Sequence, residues 1–98
     1  MNEIDGVKVS HVLQHQDRVI RCINVCDLQR HLYGDTAFRG WHPDVNRSYE
    51  QETADVMSWA LAHKASFYAA PREDFNLYDA TEHAYNEGHD LVITEDMS

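Results

Sequence analysis

Beyond Arg72 the chain has no lysine and no arginine. Phosphate groups are neutralised by those two residue types, so direct binding of DNA or RNA through this part of the chain is excluded. No apolar run of about 18 or more residues occurs, which excludes a helix that spans a membrane. The N-terminal stretch MNEIDGVKVS has neither the basic flank nor the apolar core of a signal peptide, so secretion is not expected. Cysteine is scarce, with Cys22 and Cys26 only. In an extended strand their Cα atoms would lie about 13 Å apart, beyond the roughly 7 Å that a disulfide tolerates. Reduced thiols in a cytoplasmic protein are the expectation. Two prolines and four glycines leave no linker or low-complexity tract. Gly-x-Ser-x-Gly, His-Glu-x-x-His and the Gly-rich phosphate loop are all missing, so neither an enzyme class nor a cofactor is indicated.

What is present is carboxylate, unevenly placed. Up to Arg47 six acids are balanced by six bases, whereas from Ser48 onward eleven acids face only Lys64 and Arg72. The whole net charge of −9 therefore sits in the second half. Charge asymmetry of this kind bears on partners rather than on fold. The length of 98 residues suits one domain, and 43% hydrophobic content supports one modest core.

Residues 7–14 alternate imperfectly through Val7, Val9 and Leu13, and residues 18–25 (RVIRCINV) are rich in β-branched side chains. With Gln16-Asp17 as a turn they predict a β-hairpin. A first helix using Val9, Val12, Leu13 and Gln16 is the competing reading. Asp27 is placed to cap a short helix through Tyr33, with Gly34 just past its end. Residues 35–47 read as a loop pinned by Phe38 and Trp41. Ser48 and Gln51 form a capping-box signature, and the spacing of Val56, Met57, Ala60, Leu61, Phe67 and Tyr68 predicts a long helix over residues 48–69. Pro71 ends it. A third helix is expected from Asn76 or Asp79, with Leu77, Ala80 and Ala84 inside and Gly88 after its end. Residues 89–94 (HDLVIT) close the chain as a strand. The order ββαααβ predicts a small α+β domain of two layers, one sheet covered on one face by the helices.

Seven histidines are many for a chain of this length. The nearest metal-like spacing, Cys22-x3-Cys26-x4-His31, fits no zinc pattern, so no metal is expected. His11 with His15, and His83 with His89, are pairs that could titrate near neutrality. Cys26 precedes a helix start, where a thiolate gains stability, which allows a small enzyme or a thiol sensor. The stretch Ile23-Asn24-Val25-Cys26-Asp27-Leu28, followed by Phe38-Arg39-Gly40-Trp41, slightly resembles the opening of phage KilA-N domains. That resemblance implies DNA binding, which needs the basic surface that the second half lacks.

The favoured expectation is a binding protein that presents carboxylates to a basic protein surface. Its candidate contacts are Glu73, Asp74, Asp79 and Glu82, then Glu87, Asp90, Glu95 and Asp96, with Tyr78 and Tyr85 as apolar anchors and Tyr49 and Trp59 in the same half. Carboxylates on a small scaffold can stand in for phosphates, and charge steering speeds encounter. In size, acidity and lack of motifs the chain is similar to inhibitors encoded by phages and plasmids, such as anti-CRISPR and other DNA-mimicking proteins. The alternative is a nucleic-acid-binding regulator that uses Arg18, Arg21, Arg30, Arg39 and Arg47.

Overall fold

A computed structural model describes residues 3–37 and 46–97. The chain opens with a small ribbon, β1 (Glu3–Ile4) and β2 (Val7–Lys8), joined through Asp5 and Gly6, both at positive φ. Asp-Gly suits such a turn because two successive left-handed residues match the strand twist. A Cβ at Gly6 would stand 3.0 Å from the His31 ring, a tight contact added to the strain of its positive φ.

The predicted hairpin forms with a shorter first strand, β3 (His11–His15) against β4 (Arg18–Asn24), because Val7 and Lys8 pair with β1 instead; Gln16 takes positive φ in its turn. The competing first helix does not form. The central sheet runs β3-β4-β6-β5. Here β5 is Ser66–Pro71 and β6 is Leu91–Met97, both parallel to each other, and β6 is also parallel to β4.

Three α-helices connect these strands among the described residues: α1 (Val25–Tyr33), α2 (Tyr49–Ala62) and α3 (Leu77–Asn86). The Asn24 side chain caps α1 by accepting from Cys26 N–H, one turn earlier than the Asp27 cap read from the sequence. Gly34 ends α1 at positive φ, as expected. Ser48 caps α2 by accepting from Gln51 N–H, as its capping box predicts. Asn76 caps α3 in the same way through Asp79 N–H.

The mixed α and β class is as the sequence implies, but the arrangement needs two corrections. Residues 66–71 form strand β5, not the end of a helix over 48–69, so the order gains a strand between α2 and α3. The helices also cover both faces of the sheet. Ile23 and Ile93 point toward α1 and α2, where they meet Leu28, Val56, Trp59 and Ala60. Ile20, Cys22 and Val92 point the other way, onto Ala80 and Ala84 of α3. Alternate residues of β4 and β6 thus feed separate cores, which the period of two in a strand allows. The result is three layers, with α1 and α2 on one side and α3 on the other.

The buried side of α2 is also rotated from the expected one. Glu52, Val56, Trp59 and Ala60 are inside, while Met57 is 40% and Leu61 84% exposed. Phe38, Arg39 and Trp41, including the second part of the KilA-N resemblance, lie outside the described residues. No helix among the described residues is long and apolar enough to cross a membrane.

Candidate functional site

The eight acids of the last quarter do not form one patch; they separate by role. Glu87 caps the end of α3 and accepts a hydrogen bond from the Ser66 hydroxyl at 2.6 Å. His89 Nδ1 stands 2.8 Å from the same hydroxyl, and His83 Nε2 is 3.6 Å from Glu87. The Ser66 hydrogen bond, above all, holds the Glu87 carboxyl below the usual range; desolvation opposes it, and His83 and His89 add to the lowering. Both histidines that the sequence places around the end of α3 therefore serve this cluster. The hydroxyl sits between the carboxylate and the imidazole, so this is not a relay in which the acid orients the base of a nucleophile. It ties the start of β5 to the α3–β6 turn.

Asp90 pairs with Arg18 at 3.2 Å and Asp96 with Arg72 at 3.8 Å. These three acids, Glu87, Asp90 and Asp96, are engaged within the chain, which the sequence does not reveal because their partners are distant in it. Glu73, Asp74, Asp79 and Glu82 are exposed and have no ion-pair partner among the described residues. Glu73 and Asp74 lie in the 3-10 turn Arg72–Asp74 that leads into α3. Asp79 and Glu82 follow on the outer side of α3, opposite the buried Ala80, Thr81 and Ala84. Asp79 also stands in the first turn, where a carboxylate favours the helix dipole.

The tyrosines divide similarly. Tyr78 is 59% exposed and one helical turn from Glu82, so it accompanies the free acids. Its ring leans on buried His15 at 5.2 Å, which fixes its base. Tyr85 is half-buried, packs on the other side of His15 at 5.0 Å and donates to Asp17 at 3.2 Å. It is a strut between α3 and the hairpin rather than a surface anchor. Trp59 is buried in the core and stacks on His63 at 3.7 Å. Tyr49 is exposed at the start of α2, on the other side of the sheet.

Of the first-half arginines among the described residues, three are engaged in separate contacts. Arg18 holds Asp90 and lies 5.1 Å from the Tyr85 ring centre. Arg30 pairs with Asp27 at 3.4 Å. Arg47 is largely buried, 2.9 Å from Glu52 and 3.7 Å from the Tyr33 ring centre. Arg21 is exposed on β4.

Cys26 is exposed near the start of α1. Desolvation, above all, raises its thiol above the usual range; Arg30 opposes that, and Asp27, Asp96 and Glu95 add to it. Those carboxylates work against the thiolate that a reactive cysteine requires. Burial pushes the Cys22 thiol up to about 11. Among the described residues no three of His, Cys, Asp and Glu come together to hold a metal ion.

No protein-family model matches the chain, and no curated protein or solved structure matches it either.

A cleft runs along α2 beside β5, reaching α1 at one end and α3 at the other. One lobe, about 80 Å³, is lined by Val25 and Gln29 of α1, Tyr49 and Met57 of α2, Phe67 and Glu95. The next lobe, about 430 Å³ and open to solvent, shares Met57 and Phe67 and continues past Leu61 to His83 and Glu87. No lysine or arginine lines either lobe.

Proposed function

We propose that this chain is a binding protein that docks the outer side of α3, with the turn before it, onto a basic surface of another protein. The observation that carries this reading is the group Glu73, Asp74, Asp79 and Glu82: exposed carboxylates without ion-pair partners among the described residues, beside an exposed Tyr78. Unpaired surface carboxylates attract a basic partner over about 8 Å at physiological ionic strength. Tyr78 supplies the large, stiff apolar contact that anchors such interfaces. A protein surface built to hold phosphates offers the matching charge, and occupying it blocks it without catalysis, as inhibitors of the anti-CRISPR kind do. The regulator reading is disfavoured because Arg18, Arg30 and Arg47 are engaged within the fold.

The test is a pull-down from the native host, then association rates of the recovered partner with wild type and with Asp74→Lys/Glu82→Lys over a salt series. Association should slow as salt rises and be slower for the variant, while dissociation changes less. Equal rates for the two proteins at every salt concentration would show these acids to be plain solvated surface. Tight, salt-sensitive binding of the chain itself to duplex DNA would favour the regulator instead.

A further inference from the structure

We propose that the cleft between α2 and β5 receives an extended basic segment of a partner protein, which pairs along Ser66–Pro71 as an added strand. This goes beyond the α3 reading and is independent of it, because none of Glu73, Asp74, Asp79 and Glu82 lines the cleft.

The argument starts from the edge. Among the described residues β5 is the last strand of its sheet and has β6 as its one neighbour. Natural edge strands are commonly blunted by lysines, inward charges or bulges, because bare backbone donors and acceptors recruit another strand. The sequence of β5, SFYAAP, has no charged residue; Pro71 at its far end is its only guard. Extended peptides exploit such edges: backbone pairing gives affinity, and pockets for alternate side chains give specificity.

The pockets are present beside this edge. Tyr49, Met57 and Leu61 share one flank of α2, spaced at multiples of four residues, and Met57 and Leu61 border the cleft with Phe67. Leu61 at 84% exposure is the most exposed large apolar side chain among the described residues. A strand added to β5 would place every second side chain over this flank.

Charge selects the occupant. Glu95 lines one lobe of the cleft and Glu87 the other, and no lysine or arginine lines either. Glu95 reaches this side because it lies two residues beyond Ile93 on β6, and alternate strand residues share a face. Lysines or arginines near the ends of the segment and apolar residues between them match that distribution. A second copy of this chain matches it poorly, since its own β5 brings no positive charge.

The probe is a fluorescein-labelled peptide matched in length to the six residues of β5, with lysine at each end and valine between. Fluorescence anisotropy should show saturable binding to the wild-type chain. Met57→Lys/Leu61→Lys should weaken it by at least about tenfold, the value of covering one apolar side chain. Both side chains are exposed, so the far-UV spectrum and melting temperature should hold. N-methylation of every peptide bond in the probe should abolish binding by removing its donors. The proposal is overturned if oligolysine of the same length binds as tightly, or if the N-methylated probe does. It is also overturned if Met57→Lys/Leu61→Lys binds like wild type, or if sedimentation shows a dimer that this variant dissolves. Loss of peptide binding in Asp74→Lys/Glu82→Lys alone would place the peptide on α3, which would refute the cleft and leave the α3 reading standing.

Discussion

Replacing Arg47 with methionine should unfold this protein more readily than any surface change. The Arg47 and Glu52 side chains are 13% and 10% exposed, with Nε 2.9 Å from Oε2. Arg47 Nη2 also donates to the Thr36 carbonyl at 2.6 Å, and its guanidinium lies over Tyr33, whose hydroxyl donates to Asp55 at 2.6 Å. One side chain thus joins the end of α1, the turn after it and the first turns of α2. Methionine keeps much of the volume but leaves the Glu52 carboxylate without its guanidinium. Breaking a buried pair in this way costs about 3–5 kcal/mol. The cation–π contact and the Thr36 bond are lost in the same step, and they overlap with that figure rather than adding to it. For a domain of this size each kcal/mol moves the melting temperature by about 4–8 °C, so a fall of at least about 12 °C is expected. Urea unfolding followed by circular dichroism measures the change in free energy. Arg47→Met/Glu52→Leu should recover much of the loss, because removing both charges removes the uncompensated one. A loss below about 1 kcal/mol in Arg47→Met, or strictly additive losses in the double variant, would refute the coupling.

Leu61→Ala should change stability by less than about 0.5 kcal/mol, whereas Leu28→Ala, in the core, should cost about 2–5 kcal/mol. Urea unfolding of the two variants tests the rotation of α2; comparable losses would contradict it. Ser66→Ala removes the donor that holds the Glu87 carboxyl below its ordinary value. A carboxyl lowered in the folded state adds stability that is complete above its unfolded pKa, about 4.3, and is lost as pH falls through the folded value. The stability gap between wild type and Ser66→Ala should therefore be constant near neutrality and narrow below about pH 4.3. A gap that stays the same down to about pH 3 would remove Glu87 from the account.

Most elements were legible because their signals are local. The hairpin, the Ser48 cap of α2, the Asn76 start of α3 and the glycines after α1 and α3 are set by residues within one turn of each other. Strand β5 was hidden because its signal imitates the helix before it. Phe67 and Tyr68 follow Ala60 and Leu61 by seven residues, the spacing of a continued helical face, and the alanines between favour helix. The stop comes at Lys64, which takes positive φ at 54° where glycine or asparagine is usual. The rotation of α2 was hidden by Glu52. Its true inner stripe, Glu52, Val56, Trp59 and Ala60, begins with a carboxylate that pairing with Arg47 helps to bury.

The acidic half shows the same limit from the other side. Composition registers eight carboxylates equally, but a carboxylate offered to a partner differs from one held by the fold only through long-range contacts. Glu87 meets Ser66, 21 residues away, and Asp90 meets Arg18 across the sheet. The early end of α2 and the proposed cleft are linked in the same way. A helix continuing to residue 69 would have left no strand in that segment. Because α2 ends at Ala62 and the chain doubles back, β5 becomes an edge beside Met57 and Leu61, which the core does not use. An apolar flank next to an unguarded strand invites nonspecific pairing between copies. In a chain of charge −9 that pairing is opposed by repulsion, whereas a basic segment meets no such barrier. On the cleft proposal, the net charge would oppose pairing between copies and favour a segment of the opposite sign.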